Sequence, residues 1–141
     1  MFFGVCKGVG NFRWASMPLI PKLLIAVVAL AHIYFMILEM FLWSTPRARG
    51  ISGMTEQLAR DTMTLAANQG LYNGFPAAGL IWSLFAPRTF ATQLALFFLA
   101  CVAVAGVYGG ATVSIRIFLV QAVPALVALA AVWFTARQQQ A

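Results

Sequence analysis

The chain has 141 residues, of which 62% are hydrophobic and only 9% charged, with a mean hydropathy of +0.89. A soluble domain is about 45–50% apolar and about 25% charged, so this composition argues against a water-facing surface and for a chain whose solvent is lipid. Nine Lys and Arg stand against three Asp and Glu, but the basic residues occur singly. No basic stripe interleaved with aromatics is present, and nucleic acid is not an expected partner.

Residues 1–16, MFFGVCKGVGNFRWAS, are read as an N-terminal tail. They lack the long apolar stretch and small-residue cleavage site of a signal peptide, and Met17 is an alternative start. The first span is expected at about 18–43. It is long enough for a hydrocarbon core, which takes ~20 residues. Pro21 falls in its first turn, where a missing N–H is harmless, and Trp43 marks the far interface.

Residues 44–63 form the only polar connection. Pro46, Gly50 and Gly53 break the backbone there, and Thr55 is placed to cap a helix with Glu56 in its first turn. A second span is expected at about 64–85, a third at about 90–111 and a fourth at about 115–135, with a polar tail at 136–141. The continuous apolar runs lack the alternation of a β-barrel strand. The expected fold is therefore all-α: a polytopic membrane protein, a four-transmembrane-helix bundle over residues 17–135.

Four spans put both termini on one side of the membrane. That side carries Lys7, Arg13, Lys22, Arg88 and Arg137, and the other carries Arg47, Arg49, Arg60 and Arg116. Five against four does not let the positive-inside rule decide; cytoplasmic termini in a bacterial inner membrane are the adopted orientation. Cys6 and Cys101 have no metal-ligand spacing and are read as free thiols.

Close helix approach in lipid depends on small side chains. Gly70 and Gly74 form one GxxxG pair and Gly106 and Gly110 another, suited to contacts within the bundle or between copies in a homo-oligomer. Pro76 and Pro124 lie inside the second and fourth spans and should perturb them.

The polar residues within the spans carry the functional signal. His32, the single histidine, and Glu39 are seven residues apart on the first span. Almost two helical turns separate them, so they share a face about 10 Å apart along the axis. Ionisable groups within a span usually face the bundle interior or a cavity. Asn68, Gln69, Tyr72 and Asn73 form a dense hydrogen-bonding cluster at the start of the second span. Each needs a partner in hydrocarbon, and Tyr108 and Gln121 on the later spans are the remaining candidates. These eight residues are the candidate ligand site. No Walker loop, HExxH, CxxC, nucleophile elbow or Glu-x-x-His pattern occurs, so no metal site is assigned and hydrolysis by a familiar triad is not expected.

Leu38-Glu39-Met40-Phe41-Leu42-Trp43, preceded by His32, and the run Ala66-Ala67-Asn68-Gln69-Gly70-Leu71-Tyr72-Asn73-Gly74-Phe75 resemble a family of short bacterial membrane proteins. Gly106-Val107-Tyr108-Gly109 and Val120-Gln121-Ala122-Val123-Pro124-Ala125 continue the match. The family is domain-of-unknown-function family thirteen-oh-four, and the resemblance covers about residues 17–135. It implies four membrane helices and brings no assigned activity. Pro76, where an aliphatic residue is usual, and Ala122, where glycine is usual, depart from its pattern.

Three functions remain open on the residues. A membrane enzyme or cofactor protein would hold a hydrophobic small molecule, or haem with His32 as axial ligand. A small proton-coupled transporter would use Glu39. A structural or accessory subunit would use the glycine faces for contact and the polar cluster for packing.

Overall fold

A computed structural model describes residues 17–138, apart from the side chain of Arg88. The whole of the expected N-terminal tail, with Lys7, Arg13 and Cys6, and the last three residues lie outside the described residues. The described chain is helical and shows no strand among the described residues.

Helix α1 covers Leu19–Phe41, entered through Pro18, with Pro21 in its first turn. The polar connection contains two short helices, α2 (Pro46–Ser52) and α3 (Glu56–Asp61). Thr45 caps α2 by accepting from the Ala48 N–H at 3.3 Å, and Pro46 sits where its lost donor is not needed. Gly53, at φ 68°, ends α2 in the left-handed region that glycine tolerates. Thr55 caps α3 through the Leu58 N–H at 3.2 Å, as its sequence position suggested.

Three long segments follow. Helix α4 is Met63–Phe85, with Pro76 inside it, and α5 is Arg88–Thr112. The last begins as α6 (Ile115–Ile117), widens into a π turn (Phe118–Ala122) and continues as α7 (Val123–Gln138). In the π turn the Val123 N–H donates to Phe118 O, one residue further back than in an α-helix. Pro124 comes directly after it and has no N–H to sustain the regular ladder. The perturbation expected at Pro124 thus takes the form of a π turn.

Among the described residues, three helices are long and apolar enough to cross a membrane by length and composition: Leu19–Phe41, Thr89–Thr112 and Ile115–Gln138. Helix α4 is as long as α1, 23 residues each, but Asn68, Gln69, Asn73, Pro76 and Ser83 lower its apolarity.

The long helices form an antiparallel ring in the order α1, α4, α5, α6–α7, closing back on α1. Glycines set the close contacts. A Cβ at Gly70 would lie 2.6 Å from Met40 Cγ and 3.0 Å from Met36 O, so α1 and α4 touch backbone to backbone. A Cβ at Gly106 would lie 2.9 Å from Ala122 Cα, and one at Gly110 would lie 2.6 Å from Phe118 Cβ. Both GxxxG pairs therefore face helices of the same chain. Gly106 also makes room for the side chain of Ala122.

The bundle has two unlike halves. In the half holding the start of α1, the end of α4, the start of α5 and the end of α7, Ile25, Val28, Leu80, Ala95, Leu99, Ala128 and Val132 form a continuous apolar core. Leu19, Ile20, Leu30, Val104 and Phe134 point outward and are exposed, an arrangement that suits a lipid environment and would be costly in water. Trp82 packs edge-on against Phe90 at 5.3 Å, and Arg137 lies 4.7 Å over the Trp133 ring, both near helix ends. The other half is not filled, and it holds the site.

Candidate functional site

A cavity of about 580 Å³ occupies that second half. It lies between the first part of α4 and the last part of α5, with α1 and the π turn behind. At the opposite end α4 and α5 are in contact, because Gly79 accepts the ring of Phe98 against its backbone.

Helix α4 lines the cavity with Gln69, Tyr72, Asn73 and Pro76. Their spacing of three, four and seven is one helical face. Helix α5 supplies Phe98, Cys101, Ala105, Tyr108 and Thr112, again a stripe in steps of three and four. His32 and Glu39 come from α1, and Gln121 from the π turn. Seven of the eight candidate residues thus face one space, drawn from all four long segments. Asn68 does not. It precedes Gln69 by one residue, about 100° round the helix; its exposed amide donates to Thr64 O at 3.0 Å.

Glu39 is half-buried and accepts a hydrogen bond from Asn73 Nδ2 at 2.8 Å. No ion pair to Glu39 occurs among the described residues; those present join Arg49 and Arg60 to Glu56 in the polar connection. His32 is 1% exposed. Its Nδ1 lies 2.9 Å from Val28 O, so Nδ1 carries the proton and donates. Its Nε2 is buried without a hydrogen-bond partner among the described residues. His32 therefore sits where the packed core gives way to the cavity, holding one unmet polar atom.

Tyr72 and Tyr108, 65% and 71% exposed, stand at the mouth. Tyr72 and Phe75 meet edge to face at 5.8 Å. The walls that the polar signal alone did not reveal are Phe75, Phe98, Cys101, Ala105 and Thr112. The α5 stripe running through Tyr108 is the sequence feature that could have found four of them. Cys101 is an exposed free thiol. No group of three or more His, Cys, Asp or Glu able to hold a metal ion occurs among the described residues.

The family described as protein of unknown function (DUF1304) matches residues 26–133, which include every polar residue of the cavity. The chain belongs to that family. It is also 34% identical over 122 residues to the uncharacterized protein YpaA of Lactococcus lactis subsp. lactis (strain IL1403), a match covering 84% of this chain and 100% of that one. No solved structure matches this DUF1304 chain.

Chemically, the site combines carboxyl, imidazole, amide and phenol groups with aromatic and aliphatic walls. Apolar enclosure with a few convergent polar groups is the usual makeup of a small-molecule pocket. It suits binding and orientation of a molecule with an apolar body and one polar end.

Proposed function

We propose that this DUF1304 protein is a four-span protein of a bacterial plasma membrane whose α4–α5 cleft binds a small, largely apolar molecule bearing a polar group. One observation carries the proposal: polar side chains from all four long segments converge on a single cavity in a bundle whose outer surface is apolar. Polar groups in hydrocarbon are expensive unless matched. A purely structural network would be expected to bond its members to one another, yet Glu39–Asn73 is the contact that links two of the cavity's polar side chains among the bonds described. His32 Nε2 has no hydrogen-bond partner among the described residues.

The fourth span in this proposal is α4. Gln69, Tyr72 and Asn73 line the cavity, Asn73 also bonds to α1, and the exposed Asn68 bonds back to its own helix, so the low apolarity of α4 is compatible with crossing the membrane inside a bundle. The cavity is lined by residues of both α4 and α5, among them the exposed Tyr72 and Tyr108.

Native mass spectrometry of protein released from detergent micelles tests this. Wild type should retain a small-molecule adduct, and Ala105→Trp, which fills the cleft, should lose it. Equal spectra from both proteins, with no adduct on either, would contradict the proposal.

A haem-binding reading rests on the partnerless Nε2 of His32. It requires a Soret band in the purified protein that disappears in His32→Ala. A transport reading shares the same cleft and rests on Glu39.

A further inference from the structure

The cleft's charge and ring content go beyond a general preference for apolar molecules. Building on the cleft proposed above, we infer that it selects lipophilic organic cations, held between the Glu39 carboxylate and the aromatic rings of its walls.

Three observations lead there. First, among the described residues Glu39 is the one carboxylate lining the cavity, and no Lys or Arg lines it. Of the described basic side chains, Lys22 and Arg137 lie toward the far end of the bundle, and Arg47, Arg49, Arg60 and Arg116 lie toward the cavity's own end but outside its lining. Second, Glu39 has a neutral amide as its hydrogen-bond partner and no ion pair among the described residues. An unpaired carboxylate in a membrane bundle is a strong attractor for positive charge, because little solvent screens it. Third, four rings line the same space: Tyr72, Phe75, Phe98 and Tyr108. Aromatic faces attract cations, most strongly where water is excluded.

An anion of equal size meets the reverse conditions. It would face Glu39 and the negative faces of the rings, with only amide and hydroxyl donors in compensation. A neutral molecule of the same shape gains the apolar contacts alone. Charge sign, at constant shape, is therefore the property the cleft reads.

Tetraphenylphosphonium and tetraphenylborate share shape and size and differ in sign, which makes them suitable probes. Saturable binding of each is measured by equilibrium dialysis on the full chain in micelles, with protein-free micelles subtracted, for wild type, Glu39→Gln and Ala105→Trp. Wild type should bind the phosphonium at least about tenfold more tightly than the borate, roughly 1.4 kcal/mol. Glu39→Gln should reduce that preference to the smaller part that the rings supply, and Ala105→Trp should remove binding of both ions. Equal affinities in wild type, or tighter borate binding, overturn the cation inference. If Ala105→Trp still blocks both ions in that case, the cleft itself stands. Absence of saturable binding by either ion overturns both. The wild-type comparison decides even if Glu39→Gln fails to fold.

Discussion

Asn73 on α4 donates from its Nδ2 to Oε2 of Glu39 on α1 at 2.8 Å, three residues beyond Gly70, where the two backbones meet. The bond joins the two helices at the inner wall of the cleft and holds the carboxyl group in place. Bonds to ionised acceptors are worth about 1.5–3 kcal/mol in water-soluble proteins, whereas interhelical bonds in membranes average about 0.6 kcal/mol. Asn73→Ala should therefore lower stability by about 1–2 kcal/mol. Asn68→Ala should be close to neutral, since that amide bonds only to its own helix. Thermal unfolding of the two variants in the same detergent checks the contrast; equal losses would contradict it.

The two glycine faces predict a graded series. Gly106→Ala would drive a methyl group to within 2.9 Å of Ala122 Cα, where the obstacle is backbone. The α5–π-turn contact must open, at about 1–3 kcal/mol for overpacking. Gly50→Ala meets nothing within 4 Å and lies within α2, so it should not lower the melting temperature and should raise it slightly through helix propensity. Unfolding curves of both variants provide the check.

Gly79→Ala acts differently, because its new methyl group meets the ring of Phe98 rather than backbone. A side chain can turn, so stability should change by less than in Gly106→Ala. Phe98 also lines the cleft, and its displacement should alter the volume available there. The expected result is a change in ligand retention by native mass spectrometry out of proportion to the change in melting temperature.

In the polar connection, Glu56 is held below the ordinary carboxylate range, first by its hydrogen bond from Arg60 and then by the charges of Arg60 and Arg49. The stability this contributes is present above the ordinary carboxylate pKa and is lost as pH falls through the lowered value. The carboxylate is exposed to solvent, so salt should weaken the effect. A carbon-detected NMR titration of Glu56 should show its midpoint rise toward the ordinary value in Arg60→Ala.

Much of the site was legible because helical spacing and membrane polarity constrain each other. His32 and Glu39 share a face by their separation of seven, and the Gln69–Asn73 cluster is conspicuous wherever lipid is the solvent. Asn68 was drawn into that cluster because four residues separate it from Tyr72, yet the cavity face is centred on Gln69, Asn73 and Pro76. The α5 wall was harder to see: Phe98, Cys101 and Ala105 read as ordinary membrane-helix residues until Tyr108 is placed among them. The π turn could not be read from Pro124 alone. It accompanies the close passage of the Gly106 and Ala122 backbones, a contact between residues distant in sequence.

The cleft lies within the bilayer only if α4 crosses the membrane. Sidedness reporters fused after Ser52, Ala86, Val113 and Gln138 test it directly. Fusions after Ser52 and Val113 should report one side, and those after Ala86 and Gln138 the other. Reporters after Ser52 and Ala86 on the same side would mean that α4 does not cross, and would contradict the intramembrane cleft.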